Sequence, residues 1–507
     1  MKLMFCIIFL ILLGASFATW RTEPEIQSKV PVLYWMTDAN PARTRQVQLF
    51  NEWMVRNGHV TAEGKPLFDL RLDVVNSRKI GIQAVSGMAG DIMDMGVPYA
   101  YPSGYLHDVT DSAKRLGFDM SKTYAGVEPI LSADGRQYGF PCNGSVNLFW
   151  VNADAFRRVG MEPPPRFWDF ATFERIGKEF VRRSNPPGKR RTVFFANGLI
   201  DWLGDCLMMN MERSLSLSSM NETCTRCTLD DERFARVLAL LAKWVNEDHL
   251  FPSAADEATL SGGVDYQGMA NVTGLNSLLN NGQIAMLNTG RWAMIRIRGF
   301  EKQANYTVSE PPCEEFRNSL LQARPAVIYE GSPHKDDLAP LFLAFLTSKE
   351  YNEDIVATAD ALPPCPEYTN SEEYLRPKHF KNEWGAAAVE ADEARHYGVA
   401  PSFTPYANIN MFATYRKEAL DKVLLGMATP REAARVCAEK INRLFELKVR
   451  ESPSLKAQYE KDLELQKRID ALRSEGKKVP LEWLKNPFHR AYYLYKGWAE
   501  TSPNPGT

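Results

Sequence analysis

Residues able to do chemistry occur along this chain without the spacing that chemistry demands. Cys224 and Cys227, in Asn-Glu-Thr-Cys-Thr-Arg-Cys, are the closest pair of thiols. Such a pair is either half of a zinc site or a local disulfide. No second CxxC and no histidine pair at ligand spacing is present, so a disulfide pinning a turn is the expectation. The seven histidines, His59, His107, His249, His334, His379, His396 and His489, are scattered and form no HExxH. Each reads as a surface or satisfied structural residue. A nucleophile elbow needs Gly-x-Ser-x-Gly and a phosphate cradle needs a glycine-rich loop; neither occurs. Glycoside hydrolysis needs only two carboxyl groups, which can lie far apart in sequence. Asp91, Asp94 and Asp201, beside apolar runs, are the acids that would serve, though strand-end and cap roles explain them as well. No catalytic residue, metal site or cofactor is therefore assigned.

The bulk composition narrows the class. With 45% hydrophobic and 24% charged residues, the chain is an ordinary globular protein, long enough at 507 residues for two or three domains. A formal net charge of -2 argues against a nucleic-acid partner. At the start, Lys2 precedes an unbroken apolar run from Leu3 to Leu13, followed by the small residues Gly14, Ala15, Ser16 and Ala18. That is the pattern of a secretory signal peptide cleaved after Ala18. The run is shorter than the roughly 20 residues of a spanning helix, an uncleaved anchor being the alternative. No cysteine follows the run to carry a lipid; Cys6 lies inside it. A periplasmic or extracellular, monomeric mature protein is expected.

Strands alternate with helices thereafter. Val30–Met36, Phe68–Val75 and Gly90–Met95 read as strands, and Arg45–Asn57 and Lys79–Ser86 as helices, a pattern of parallel α/β sheets. Two extended runs, Gln137–Pro141 and Val146–Asn152, flank Cys142-Asn-Gly-Ser145. Asp169 caps a helix over Phe170–Arg182, and Asp230–Asn246, Val272–Asn280 and Lys335–Thr347 are helical. Thr429-Pro-Arg-Glu432 is a capping box opening Pro430–Leu447. Beyond Ser452 come a charged helix, Leu455–Arg473, and an aromatic segment, Pro487–Trp498.

Several of these segments, taken in order, resemble the family 1 extracellular solute-binding proteins of ABC importers, the maltodextrin-binding-protein-like group. Gly90-Asp-Ile-Met-Asp-Met95 followed by Gly104-Tyr-Leu-His-Asp-Val-Thr110 is similar to the family's Pro-Asp-Val strand and its Gly-x-Leu-x-Asp-Leu-Thr. Gln137-Tyr-Gly-Phe-Pro141 with Leu148–Asn152 resembles Tyr-Gly-x-Pro…Leu-x-Tyr-Asn, and Phe156–Trp168 resembles Phe-x-x-x-Gly-x-x-x-Pro-Pro-x-Thr-Trp. Leu279–Met286 with Gly290-Arg-Trp292, Ala339–Tyr351, Leu362-Pro363 and Leu424–Asn442 continue the match. Ala89-Gly90 in place of proline, and Trp150 in place of tyrosine, depart from it.

The resemblance implies two α/β lobes of the periplasmic-binding-protein type, each a mixed, mostly parallel sheet flanked by helices, that close over a ligand by hinge motion. Expected boundaries are 1–18 for the signal, 28–142 with 303–346 for the first lobe, 145–292 with 347–450 for the second, and 452–507 for a C-terminal helical extension. Chain crossings are expected near Cys142–Phe149, between Trp292 and Asn305, and near Leu346–Ser348. A carbohydrate in the cleft and the membrane permease of an ABC importer are the implied partners. An extracytoplasmic carbohydrate-active enzyme and a ligand sensor on the same fold are the alternatives, and a polyamine or metal complex is the competing ligand. Cleft contacts come from strand-end loops and the crossings. On that basis Trp35, Asp38 and Asn40 follow the first strand, Tyr99 and Tyr101 follow the Asp91 strand, and Asn143 and Ser145 mark the first crossing. Asp201 and Trp202 belong to the second lobe, Gly290, Arg291 and Trp292 carry the family's Gly-x-Trp, and Tyr406, Asn408 and Asn410 precede the final helices. Trp35, inside an apolar run, reads as core before it reads as a contact, and Asn408 and Asn410 read also as a turn.

Overall fold

A computed structural model describes residues 14, 30–75, 77–199, 201–260 and 270–500. The expected signal segment, Gly14 apart, lies outside the described residues.

The first lobe grows from β1 (Val32–Thr37), β2 (Asp69–Val74) and β3 (Ile92–Asp94). β2 and β3 pair parallel with β1 on its two sides. The helices Ala42–Arg56 and Ser77–Val85 connect them, close to the spans their apolar spacing predicts. Leu33, Trp35, Phe50 and Phe68 pack with Phe342 and Phe345 into this lobe's core. Ring contacts of 4.7 Å (Trp35–Phe342) and 5.5 Å (Phe50–Phe342) knit it together. Next come the small hairpin β4 (Ser132–Ala133) with β5 (Arg136–Gln137), and then β6 (Gly139–Val146).

β6 belongs to the first sheet, whereas β7 (Leu148–Asn152) belongs to the second, so the chain changes lobe at Asn147. The second sheet adds β8 (Phe194–Asn197), β9 (Ile284–Thr289) and β10 (Tyr306–Ser309), in the order β10-β7-β9-β8. Its core is aromatic: Phe149, Phe156, Trp168, Phe173, Phe195 and Trp244 share one buried cluster. Asp169 caps the helix Phe170–Ser184 by accepting from the Thr172 amide, and Asp231 caps Glu232–Asn246.

The long strand β11 (Ser319–Ile328) returns to the first sheet, antiparallel to β3 and β6, and β12 (Gly398–Val399) pairs parallel with its start. Both sheets are thus mixed, and in the second only the β8–β9 pairing is parallel.

Two expected crossings move. β10 pairs with β7, so the second crossing lies at 310–318 rather than between Trp292 and Asn305. The helix Lys349–Thr358 packs Tyr351 and Ile355 into the first-lobe core, so the third crossing falls after it, where Leu362 bridges Gly144, rather than at 346–348. The reason is packing: the apolar face of that helix matches the helix Ala42–Arg56, which sequence order alone does not reveal. The expected helix Lys335–Thr347 shortens to Ala339–Phe345.

Beyond the helix Pro430–Glu451, capped by Thr429, the extension forms the helices Pro453–Ser474 and Pro487–Lys496. The short strands β13 (Val479–Pro480) and β14 (Ala499–Glu500) pair parallel. The expected Cys224–Cys227 disulfide is corrected: both are free and buried. Their turn is held by Asn221, whose side-chain carbonyl accepts from the Thr225 and Arg226 amides at 2.8 and 3.1 Å. Burial pushes both thiols up to about 12.

Candidate functional site

The ribbon of β6 and β11 joins the two lobes, and its alternation decides what faces the space between them. Ser145 pairs with Gln322 and Asn143 with Arg324. Opposed and alternate residues share one face of a sheet, so these four polar side chains lie together. The other face carries Val146 and Leu321, both fully buried in the core.

On the first-lobe side the ends of β1 and β3 add charge. Asp94 accepts from the Trp35 indole N–H at 2.7 Å, from the Thr37 hydroxyl and from Arg324 Nη1. Arg324 Nη1 also reaches Thr37 Oγ1 at 3.0 Å, while its Nε and Nη2 are buried without a protein partner. Arg43 joins Asp38 at 2.7 Å and Asp360 at 2.5 Å. Burial opposes the ionisation of Asp38, but the Arg324 and Arg43 guanidiniums prevail and hold its carboxyl at about 2. Asp360 is lowered in the same way, burial being outweighed by Arg43 and Arg324. Asn40 donates to Asp360 at 3.2 Å, and Asn143 donates to the Asp360 carbonyl at 3.1 Å.

The second-lobe side offers mostly amides and hydroxyls, with the Asp205 carboxyl acting on Tyr99. Asn147 stands at the first crossing, Asn197 ends β8, and Asn288 and Thr289 end β9. Asn147, Asn288 and Thr289 are 0% exposed. Both polar side-chain atoms of Asn147 and Asn288, the hydroxyls of Ser145 and Thr289, and the Asn197 Nδ2 find no partner in the protein. Buried polar groups are almost always paired, so this concentration of orphaned amides and hydroxyls marks a place for a ligand. Gly290 brings the lobes close: a Cβ there would stand 2.1 Å from Ser145 Oγ and 2.8 Å from the Trp292 ring. Tyr99 meets Phe403 edge to face at 5.5 Å across the opening.

Of the residues expected from the sequence, Asp38, Asn40, Asn143, Ser145, Tyr99 and Gly290 are brought to this region, with Trp292 partly buried beside Gly290. Others are corrected. Trp35 is fully buried in the first-lobe core and only its N–H serves the site, through Asp94. Arg291 turns into the core, donating to the carbonyls of Ala361 and Val356 at 2.9 and 3.0 Å and lying 4.7 Å over Tyr374. Tyr101 spends its hydroxyl on Asp134 at 2.7 Å. Tyr406 is buried and bonds Asp462 of the extension at 2.6 Å. Asn408 accepts from the Asn410 amide at 3.1 Å, a helix-start turn. The side chains of Asp201 and Trp202 lie outside those described; their backbone opens the helix Asp201–Ser214. Asn147, Asn197, Asn288, Thr289, Gln322 and Arg324 were not anticipated. For Asn197, Asn288 and Thr289 the signal was a polar residue closing an apolar strand, as in Ile-Ala-Met-Leu-Asn-Thr289, whereas Gln322 and Arg324 lie inside β11. Among the described residues no group of three or more His, Cys, Asp or Glu is arranged to hold a metal ion.

Two mixed α/β lobes, joined by crossing strands and lined between them with unpartnered polar groups, define a cleft-type ligand receptor. Residues 79–382 match the family model of the bacterial extracellular solute-binding proteins, and the chain belongs to that family. Its place of work is accordingly the periplasm or the cell exterior. The fold is shared with an ABC substrate-binding protein from Listeria monocytogenes in complex with cycloalternan, at a TM-score of 0.65 and 20% identity over 82% of this chain and 98% of that one. A solute-binding protein from Thermotoga lettingae bound with α-D-tagatose matches at a TM-score of 0.64 and 14% identity, covering 82% and 100%. The maltose/maltodextrin-binding domain from Bdellovibrio bacteriovorus bound to maltotriose matches at 0.61 and 14%, covering 83% and 100%. No curated protein sequence matches the chain.

Proposed function

We propose that the protein captures a carbohydrate between its lobes and delivers it to the permease of an ABC importer, without transforming it. The observation that carries this reading is the set of buried, unpartnered amides and hydroxyls at Asn147, Asn288, Thr289 and Ser145. Sugar hydroxyls donate and accept at once, so they satisfy amide pairs that a hydrocarbon or a bare cation leaves unmatched. Arg324 offers two further donors and Asp38 an acceptor, while Trp292, Tyr99 and Phe403 supply ring faces for sugar C–H groups. Solved relatives of the fold hold sugars, in agreement with this reading. A signal peptide over residues 1–18, removed after Ala18, would export the chain.

The test is thermal melting of the mature protein with maltose, maltotriose, mannobiose, D-mannitol and tagatose, alongside spermidine, followed by chromatography of each mixture. At least one sugar raises the melting temperature and is recovered intact. At a hundredfold excess over Kd the stabilisation is about 2.7 kcal/mol. A shift with spermidine and none of the sugars, or the appearance of cleaved products, overturns the proposal.

A further inference from the structure

The second crossing, 310–318, is held on its inner side by the second lobe. The amides of Glu310 and Cys313 donate to the Arg166 and Trp168 carbonyls at 3.0 and 2.9 Å. Those of Glu315 and Phe316 converge on the Ser214 carbonyl at 2.9 and 3.1 Å. On its outer side lies the last helix of the chain. Phe316 is 5% exposed, with Phe488, Tyr492 and Tyr495 around it at ring distances of 5.6, 5.2 and 5.1 Å. Phe488, Phe316 and Val399 of β12 form one small apolar cluster. The same helix therefore covers both the second crossing and the chain that returns after the third.

That helix is itself anchored by polar groups. Asn486, 0% exposed, donates to Ser218 Oγ and the Met220 and Asn221 carbonyls at 2.9, 2.9 and 3.2 Å, and accepts from Ser402 Oγ at 2.6 Å. Glu222 accepts from Tyr493, Arg473 and Gln466 at 2.6, 2.8 and 2.9 Å. Asp462 takes Tyr406 at 2.6 Å and Lys485 at 2.7 Å. A buried network with its members satisfied fixes one geometry. The extension's side of these contacts, from Asp462 to Tyr495, lies beyond the 79–382 stretch that matches the family model.

We propose that the C-terminal extension is a brace on the hinge. It fastens residues 310–316 to the second lobe, so that opening and closing bend the remaining connections, and it narrows the range of interlobe angles the protein explores. Removing the aromatic contact frees the crossing without touching the cleft.

The test compares the full chain with Phe488→Ala and Tyr495→Ala by amide exchange, and by spin-label distances between Val85→Cys on the first lobe and Leu425→Cys on the second. Both label sites are 72% exposed. Cys313→Ser removes the one thiol among the described residues that is not buried. Exchange at Glu315 and Phe316 rises at least about tenfold in both variants, with the first-lobe sheet unchanged, and the distance distribution widens. Tyr495 is 61% exposed, so its variant keeps the fold and decides the matter where Phe488→Ala does not. Folded variants with wild-type exchange at 310–316 and a wild-type distance distribution overturn the brace.

Discussion

Replacing Asn288 by leucine separates stability from binding. Asn288 is 0% exposed at the end of β9, and neither its Nδ2 nor its Oδ1 has a partner in the protein. An unsatisfied buried polar group costs about 1–3 kcal/mol, and an apolar group of similar shape removes that cost. For a cooperative unit of 150–250 residues, each kcal/mol moves the melting temperature by about 2–4 °C. Asn288→Leu is therefore expected to raise the melting temperature of the unliganded protein by about 2–12 °C. In the proposed complex the same amide makes two or more hydrogen bonds to the ligand, each worth about 1 kcal/mol net, so affinity is expected to fall by about 10- to 100-fold. Differential scanning calorimetry measures the first effect, and titration calorimetry with whichever tested sugar binds the wild type measures the second. A lower melting temperature together with unchanged affinity refutes the reasoning, since it makes Asn288 an ordinary structural residue.

Arg324→Ala strips Asp94 of its cation in a buried setting and is expected to destabilise by about 3–5 kcal/mol, read from urea unfolding. Glu390 is wholly buried, and burial, opposed by Arg291, raises its carboxyl to about 7. Its folded value lies above the unfolded one, so its stabilising contribution is full below about pH 4.5 and is lost as pH rises through 7; Glu390→Gln flattens that slope in melting curves from pH 5 to 8. Thiol titration of the unfolded chain without reductant is expected to detect both Cys224 and Cys227, and dithiothreitol is expected to leave the melting temperature unchanged.

Much of the fold was legible because its causes are local. The alternation in β1 and β2, the helical spacing of Phe50 and Met54, and the caps at Asp169 and Thr429 act within a few residues, and each places its element where the structure has it. The cleft was half legible. Asp38 follows the end of β1, and Asn143 and Ser145 lie on β6 just before the first crossing. Arg291 and Tyr406 failed for one reason: a polar residue in a suggestive position turns inward when carbonyls or a carboxylate wait for it there. Arg291 found Ala361 and Val356, and Tyr406 found Asp462.

By itself the sequence determined the alternation of strands and helices and the caps that open several of the helices, since burial periodicity and capping are short-range effects. Tertiary structure alone decided which polar groups meet. Arg43 pairs with Asp360 across 317 positions, and Asn143 reaches the Asp360 carbonyl across 217. It also decided which groups stay unpartnered, as Asn147 and Asn288 do. Hydrogen bonding is satisfied only between atoms that the fold has already brought within reach, so the groups left unpaired stand out only after every other pairing has been made.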